Sequence, residues 1–344
     1  MGFKVRVEPS GREFTVDNDD SVLDAALHHG ISLSYGCRNG ACGSCKGKIV
    51  SGTVDYGDYH PATLTSDERL AGMALFCQAR PLSDLVIEAL EMAVGDIPIR
   101  KIPIRVAKKE RLSHDVVRLF LKGPNTVRLQ FLAGQYLDVM LPDHKRRAFS
   151  IANAPHNDEF IELHIRHVPG GNFTDYVFDD LQEMDLMRIE LPFGTFYLRE
   201  ESPRPMIFMA GGTGFAPIKG IIEHAFAKAI DRPMYLYWGV RSKRDLYLDA
   251  LPRQWAEAHG NFHYIPVLSE PQSEDNWQGR TGFVHTAVIA DFPDLAAYEV
   301  YASGPPVMVS AGKDAFLAAG LPVNHLHYDS FEFAADTHPA PRSG

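Results

Sequence analysis

With 344 residues, 45% hydrophobic and 23% charged, the chain has a globular composition and is too long for one ordinary core, which points to two or three domains. A formal charge of −10 without a basic stripe argues against nucleic acid as a partner, and no apolar run approaches the roughly 20 residues that a bilayer span needs. The first residues, MGFKVRVEPSG, read as a strand and turn rather than a targeting segment, so a cytoplasmic protein is expected.

Taken in chain order, Lys4 to Val7 alternates in strand fashion, Ser10-Gly11 turns, and Glu13 to Val16 returns, a hairpin. Asp20 or Ser21 can cap a short helix carrying Val22, Leu23, Ala26 and Leu27. Then comes Cys37-Arg38-Asn39-Gly40-Ala41-Cys42-Gly43-Ser44-Cys45, and the fourth and last cysteine is Cys77. C-x4-C-x2-C with a distant fourth cysteine is the plant-type [2Fe–2S] spacing, because two bridged irons take four thiolates, two per iron. Zinc would want paired C-x2-C knuckles, and a chain with no cysteine to spare for disulfides suits a reducing compartment. Cys37, Cys42, Cys45 and Cys77 are therefore the expected metal ligands. The small residues around them, Gly36, Gly40, Ala41, Gly43, Ser44 and Gly47, let backbone N–H groups approach the sulfides and tune the potential.

Strands at Lys48 to Val50 and Thr53-Val54, a short helix over Ser66 to Ala71 and a closing strand at Leu85 to Ile87 complete a β-grasp domain, residues 1–95. This segment holds 13 acidic and 8 basic residues; such a surface can steer toward a basic partner face or simply aid solubility. Val94 to Pro103, with Gly95, Pro98 and Pro103, reads as a linker, placed at 96–103. From 104 to 200 short strands follow one another: Ile104 to Val106, Val116 to Leu121, Tyr136 to Met140, Phe149 to Ile151, Ile161 to Arg166 and Met187 to Leu191. That rhythm suggests an antiparallel β-barrel. From 201 to 335 it changes to strands at Met206 to Ala210, Met234 to Trp238, Tyr264 to Leu268 and Glu299 to Ala302, each followed by helical spacing. This is βαβ alternation and a parallel-sheet domain. Residues 336–344 are expected to be a flexible tail. The fold class expected is thus multidomain, α+β and α/β.

Arg147-Ala148-Phe149-Ser150 places a phosphate-pairing guanidinium, a stacking ring and a hydroxyl on one barrel strand. His164, Ile165 and Val168 lead into Gly170-Gly171-Asn172-Phe173-Thr174, where paired glycines before a helix start make a pyrophosphate cradle. Gly211-Gly212-Thr213-Gly214 is not G-x-G-x-x-G, but it follows an apolar strand and precedes a helix, where a diphosphate can sit. Gly239-Val240-Arg241, with Lys243 and Arg244 nearby, and Ser303-Gly304-Pro305-Pro306 end two further strands. Three glycine turns at strand carboxyl ends of one sheet favour a nucleotide site.

At these motifs the chain resembles the ferredoxin–NADP reductase-like flavoenzymes that carry an amino-terminal plant-type ferredoxin, including oxygenase reductase components. RAFSIANAP with HIRHVPGGNFTDYVF is especially similar to the CDP-6-deoxy-glucoseen reductases. The resemblance implies an NAD(P)H:acceptor oxidoreductase with FAD, a [2Fe–2S] cluster and NADH as cofactors, NADPH being the alternative donor. It implies Arg147 on the flavin pyrophosphate, Phe149 stacked on the isoalloxazine where tyrosine is common, and Ser150, the catalytic candidate, near flavin N5. His164, Ile165, Val168, Gly171, Phe173 and Thr174 fall on the FAD side. Gly211, Gly212, Thr213, Gly214, Arg241, Gly304 and Pro305 fall on the nicotinamide side. Phe331, near the carboxyl end, is expected either to shield the other flavin face or to serve the core. Ser303 stands where related reductases often have cysteine. The partner implied is an electron-accepting protein, foremost an oxygenase component and alternatively a sugar-dehydratase. A carrier that binds no nucleotide is a further alternative.

Overall fold

A computed structural model of the chain describes residues 2–17, 20–92, 97–124, 126, 128–143 and 145–332. The tail expected at 336–344 and the linker residues up to 96 lie outside them. The chain divides into two compact units: Met1–Arg100 together with Pro192–Thr195, and Lys101–Leu191 together with the chain from Phe196 onward.

The first unit contains β1 (Phe3–Glu8), β2 (Glu13–Val16), α1 (Val22–His28), β3 (Lys46–Ser51), β4 (Val54–Asp55), α2 (Ser66–Leu70), β5 (Met73–Leu75), β6 (Arg80–Pro81) and β7 (Leu85–Glu88). Its main sheet runs β2-β1-β7-β3-β5. β1 and β7 pair in parallel, and the remaining pairings are antiparallel. Alternation along β1 buries Val5 and Val7 and leaves Lys4 and Arg6 in water. α1 is capped by Ser21, whose Oγ accepts the Asp24 N–H at 3.1 Å; its Leu23 and Ala26 are buried. This is the expected β-grasp. The strand expected at Thr53-Val54 forms at Val54–Asp55 and pairs with β6.

Pro192–Thr195 joins this unit through Tyr35 and Arg38. The Gly194 N–H donates to Tyr35 Oη at 2.7 Å, Thr195 Oγ1 donates to the Tyr35 carbonyl at 2.8 Å, and the Arg38 guanidinium lies 4.1 Å over the buried Phe193 ring.

The second unit contains β8 (Arg100–Arg111), β9 (Val116–Lys122), β10 (Tyr136–Met140), β11 (Arg146–Ser150), β12 (Ile161–Arg166), α3 (Asn172–Asp179) and β13 (Leu186–Phe193). The order β11-β10-β13-β8-β9-β12 closes through a bridge between Ile151 and Leu163. Inside lie Ile104, Val117, Leu119, Leu137, Leu163, Ile165 and Ile189. β8 begins at Arg100, so the last residues read as linker are strand: Ile102 and Ile104 point into the barrel between exposed Lys101 and Arg105.

The same unit continues with β14 (Met206–Gly211), α4 (Phe215–Ala227), β15 (Met234–Val240), α5 (Ala250–Ala258), β16 (Phe262–Leu268), β17 (Arg280–Thr281), α6 (Val284–Asp291), β18 (Glu299–Gly304), α7 (Pro306–Ala318) and β19 (Leu326–Ser330). Their sheet, β17-β16-β15-β14-β18-β19, is parallel throughout. β14 is buried along its whole length, as a central parallel strand covered on both faces must be. One face packs Phe208, Phe215, Ile218 and Trp238; the other packs Ile207, Met209, Val288 and Phe316. Among the described residues no helix is long and apolar enough to cross a membrane.

Tyr35→Phe removes the hydroxyl that accepts the Gly194 N–H. Leaving that N–H unpaired in the interior costs about 1–3 kcal/mol, so the unfolding free energy of the first unit from urea denaturation is expected to fall by that amount.

Candidate functional site

The cluster loop lies between α1 and β3. Its conformation depends on Gly40, which has φ +77°, a region open to glycine, and whose missing Cβ would stand 2.9 Å from the Asp58 carbonyl. The 56–65 segment can therefore close over the loop: the His60 N–H reaches the Gly40 carbonyl at 3.2 Å and Thr63 Oγ1 donates to the Ala41 carbonyl at 2.8 Å.

The four thiols fall into two mutually hydrogen-bonded pairs, Cys37 with Cys42 and Cys45 with Cys77. Cys45 and Cys77 are buried and the other two half-buried. Backbone and side-chain donors already point at the sulfurs: Cys42 N–H at 3.3 Å from Cys37 Sγ, Cys37 N–H at 3.4 Å from Cys42 Sγ, and Gln78 Nε2 at 3.8 Å from Cys77 Sγ. Within each pair the two thiols shift in opposite directions. The bond to Cys42 and burial push the Cys37 thiol up, while the same bond pulls Cys42 down to about 6. Cys45 is likewise raised by its bond to Cys77 and by burial, and Cys77 lowered. Two thiol pairs among N–H donors suit a binuclear centre that takes two thiolates per iron and displaces their protons.

In the second unit, Phe149 is half-buried and its ring lies 5.4 Å from that of Phe173. Arg147 Nη1 donates to the Arg146 carbonyl at 3.0 Å. Thr174 Oγ1 accepts the Val168 N–H at 3.1 Å and donates toward the Val168 and Gly171 carbonyls at 3.0 and 3.1 Å, folding 168–174 into a closed turn. α3 starts there with no side-chain cap, so its first N–H groups remain available to an anion. Arg147, Phe149, Val168, Gly171, Phe173 and Thr174 thus offer a guanidinium, an aromatic wall and a backbone cradle, a donor set that fits a flavin dinucleotide. His164 and Ile165 differ: both side chains are buried, and both His164 ring nitrogens are engaged, by Glu162 at 2.8 Å and Tyr247 at 3.0 Å. What these two positions offer a cofactor is main chain.

The glycine turns face each other across the carboxyl ends of β14 and β18. A Cβ on Gly214 would collide with the Ser303 carbonyl, and a Cβ on Gly304, at φ +139°, would stand 2.7 Å from the Gly211 carbonyl. The 212–214 turn leads directly into α4 with no side-chain cap, and Pro305 is the residue that caps the start of α7. Arg241 is exposed at the end of β15, followed by Lys243, whose N–H donates to Asp275 at 3.2 Å, and by Arg244, 3.9 Å from Asp245. Ser303 is fully buried, with its Oγ lacking a hydrogen-bond partner among the described groups.

The flavin-side and nucleotide-side residues meet at β19. Ser150 Oγ donates to Asp329 Oδ2 at 3.3 Å, and two residues on, the Phe331 N–H donates to the Gly304 carbonyl at 2.9 Å. Asp329 is a functional candidate that sequence reading missed; its only signal was its place just ahead of Phe331. Arg166 was missed as well. Held by Asp115 at 2.7 Å, it has Nη1 3.2 Å from where a Gly212 Cβ would stand, which brings a guanidinium to the glycine turn.

Two outcomes follow from this geometry. Cys77→Ala removes a ligand from one thiol pair, so iron and the visible iron–sulfur absorbance are expected to be lost while flavin content is retained, as measured by metal analysis and flavin extraction. Gly214→Ala forces a side chain against the Ser303 carbonyl. Overpacking costs about 1–3 kcal/mol, and the midpoint of thermal unfolding of the second unit is expected to fall accordingly.

Comparison with known proteins agrees with this division of labour. The "2Fe-2S iron-sulfur cluster binding domain" matches residues 5–82, the "Oxidoreductase FAD-binding domain" residues 103–197 and the "Oxidoreductase NAD-binding domain" residues 208–314. The CDP-6-deoxy-L-threo-D-glycero-4-hexulose-3-dehydrase reductase of Yersinia pestis is 39% identical over 332 residues, covering 96% of this chain and 99% of that protein. The phenol hydroxylase P5 protein of Acinetobacter pittii is 36% identical over 346 residues, 98% of this chain and 96% of the other. The crystal structure of the Amycolatopsis cytochrome P450 reductase GcoB superposes with a TM-score of 0.86 at 35% identity, covering 97% of this chain and 100% of that one. Four paired thiols, a flavin barrel and a nicotinamide sheet in one chain, matched over nearly its whole length, place it in the family of NAD(P)H-dependent iron–sulfur flavoprotein reductases, which includes oxygenase reductase components and hexulose-dehydrase reductases.

Proposed function

We propose that the chain is the reductase component of a multi-protein oxygenase, accepting a hydride from NADH and releasing electrons singly through the cluster to the oxygenase. The observation that supports this most is the coexistence in one chain of a four-thiol loop with a barrel and sheet that meet at Ser150, Asp329 and Gly304. When bound, FAD supplies the conversion between two-electron hydride chemistry and one-electron chemistry, and the cluster supplies a one-electron site.

On this reading each residue has its own part. Arg147, the 168–174 turn and the start of α3 hold the flavin diphosphate by charge and N–H donation. Phe149, backed by Phe173, and Phe331 would supply apolar walls to the flavin ring system. Ser150, oriented by Asp329, presents its hydroxyl to the reacting edge. The turns 211–214 and 303–305 seat the nicotinamide nucleotide through backbone groups, with Arg166 and Arg241 as flanking cations. Cys37 and Cys42 hold one iron and Cys45 and Cys77 the other. An NADH requirement also supports a cytoplasmic place for the protein.

The oxygenase reading draws on the 36% identity to a phenol hydroxylase component and on the fold match to a cytochrome P450 reductase. A hexulose-dehydrase partner is the second reading, favoured by the 39% identity to the Yersinia protein. Reconstitution separates them: NADH-dependent product formation is expected with a phenol-hydroxylase-type oxygenase and not with a CDP-hexulose dehydrase, and the reverse result transfers the assignment.

NADH is expected to outperform NADPH. After β15 the Lys243 backbone N–H donates to Asp275 Oδ2 and its ammonium to the Asp275 carbonyl, and the Arg244 guanidinium faces the Asp245 carboxylate, so a 2′-phosphate with up to about two negative charges would meet both acids there. Comparing kcat/KM for the two donors with an artificial acceptor checks this; a tenfold or greater advantage for NADPH, roughly 1.4 kcal/mol, contradicts it.

A further inference from the structure

A buried polar and charged group in the second unit includes, of the cofactor-side candidates, only His164. Glu162 and His164 come from the face of β12 opposite the barrel-filling Leu163 and Ile165, Lys219 comes from α4, and Tyr247 comes from the chain between β15 and α5. Lys219 Nζ donates to Glu162 Oε2 at 3.0 Å, to the Ala152 carbonyl at 3.2 Å and to Glu223 Oε2 at 3.1 Å. Glu162 Oε1 accepts from His164 Nε2 at 2.8 Å, and His164 Nδ1 faces Tyr247 Oη at 3.0 Å. Arg118 Nη1 stands 3.7 Å from Glu162, and the Glu162 N–H donates to Asn153 Oδ1 at 2.8 Å. Lys219 is 4% exposed and Glu162 6%. The barrel therefore contributes the carboxylate and the nucleotide sheet the ammonium.

The backbones are equally close. A Cβ on Gly220 would stand 3.0 Å from the Asn153 carbonyl and 3.3 Å from that of Ile151, so α4 rests on the chain that leaves β11 just past Ser150. Position in the sequence gives this contact its leverage. α4 starts immediately after the 212–214 turn, and β12 runs immediately into the 168–174 turn.

A buried ion pair adds little stability over packed apolar side chains of the same size, because both charges must leave water. What it does impose is register. An apolar interface tolerates a small slide; here a slide would part Lys219 from Glu162 and from the Ala152 carbonyl, leaving each buried charge with only the partners on its own side, Glu223 for Lys219 and His164 and Arg118 for Glu162. Burial works against the charged form of Glu162, yet its His164 bond and the Lys219 charge hold its carboxyl down to about 2.

We propose that the Glu162–Lys219 pair is a positioning device that sets the register of the flavin barrel against the nicotinamide sheet, and so the approach of hydride donor to acceptor. Reactions of this type are sensitive to such register: a misplacement of about 1 Å can cost on the order of a hundredfold in rate. The proposal concerns reduction of the flavin by NADH. It is independent of which protein takes the electrons, and its test fails separately from the acceptor assignment.

The test is the double variant Lys219→Met with Glu162→Gln, in the full chain. It removes both charges and keeps an oxygen for His164 Nε2–H. Three measurements are made: calorimetric unfolding of the flavin-free protein, NADH affinity of the loaded protein, and the single-turnover rate of flavin bleaching by NADH. The expected result is a second-unit transition that broadens or splits, NADH affinity within about threefold of wild type, and a bleaching rate lower by about tenfold or more. A wild-type rate overturns the proposal whatever the calorimetry shows. So does an unchanged transition, or a slower rate with a matching loss of affinity. If the double variant does not fold, Lys219→Arg retains the charge but moves it onto a longer planar head; a slower rate at unchanged NADH affinity supports the proposal, and an unchanged rate overturns it.

Discussion

Gly214 and the Ser303 carbonyl stand too close for any Cβ between them, and Gly304 meets the backbone of Gly211 in the same way. Much of the second unit is arranged around this contact of two bare turns. It requires β14 and β18 to be adjacent and parallel, because only then do both carboxyl ends arrive at one place. It starts α4 and α7 from one end of the sheet, α4 onto the face of Phe208 and Trp238 and α7 onto the face of Ile207 and Met209. It also leaves the Gly304 carbonyl turned toward β19, where it takes the Phe331 N–H and brings Asp329 within reach of Ser150 on the barrel. A side chain at either turn would push β14 and β18 apart at their carboxyl ends.

The cluster unit follows a different logic. Its α helices are short, α1 with 7 residues and α2 with 5, and cannot stand alone. Capping by Ser21 and the Thr65–Glu68 capping box, together with the Lys46–Glu68 ion pair at 2.7 Å, hold the segments on either side of the cysteine loop. The loop itself has little apolar packing to depend on. Its form comes from glycine conformations and from hydrogen bonds to 56–65, and its thiols come prearranged in the two pairs that two irons require. The unit's acidic surface stays compatible with a basic partner, while its solubility value is the same for any partner.

Much of this was legible from sequence because the chemistry is carried by local strings. The cysteine spacing is one continuous run plus a single outlier. The barrel strands announce themselves by alternation, and β14 by an uninterrupted apolar run that ends in glycine. What escaped was either non-local or weakly apolar. β19, Leu-His-Tyr-Asp-Ser, sits at the edge of its sheet and has too little apolar character to read as a parallel strand, and with it Asp329 was lost. Pro192–Thr195 reads as the end of a barrel strand, but Tyr35 and Phe193 assign it to the cluster unit across more than 150 residues of chain. His164 reads as a cofactor-side histidine because of its place before the glycine cradle. Its burial between Glu162 and Tyr247 is a matter of tertiary packing that no local pattern encodes.

The central claim is that electrons entering as hydride from NADH reach the [2Fe–2S] cluster within this one chain. The most direct measurement is low-temperature electron paramagnetic resonance of the anaerobic, fully loaded protein after mixing with NADH in excess. The account predicts the rhombic signal of a reduced [2Fe–2S] centre, integrating to one unpaired electron per chain. Bleached flavin with no cluster signal, at a donor excess that reduces the flavin completely, would contradict it.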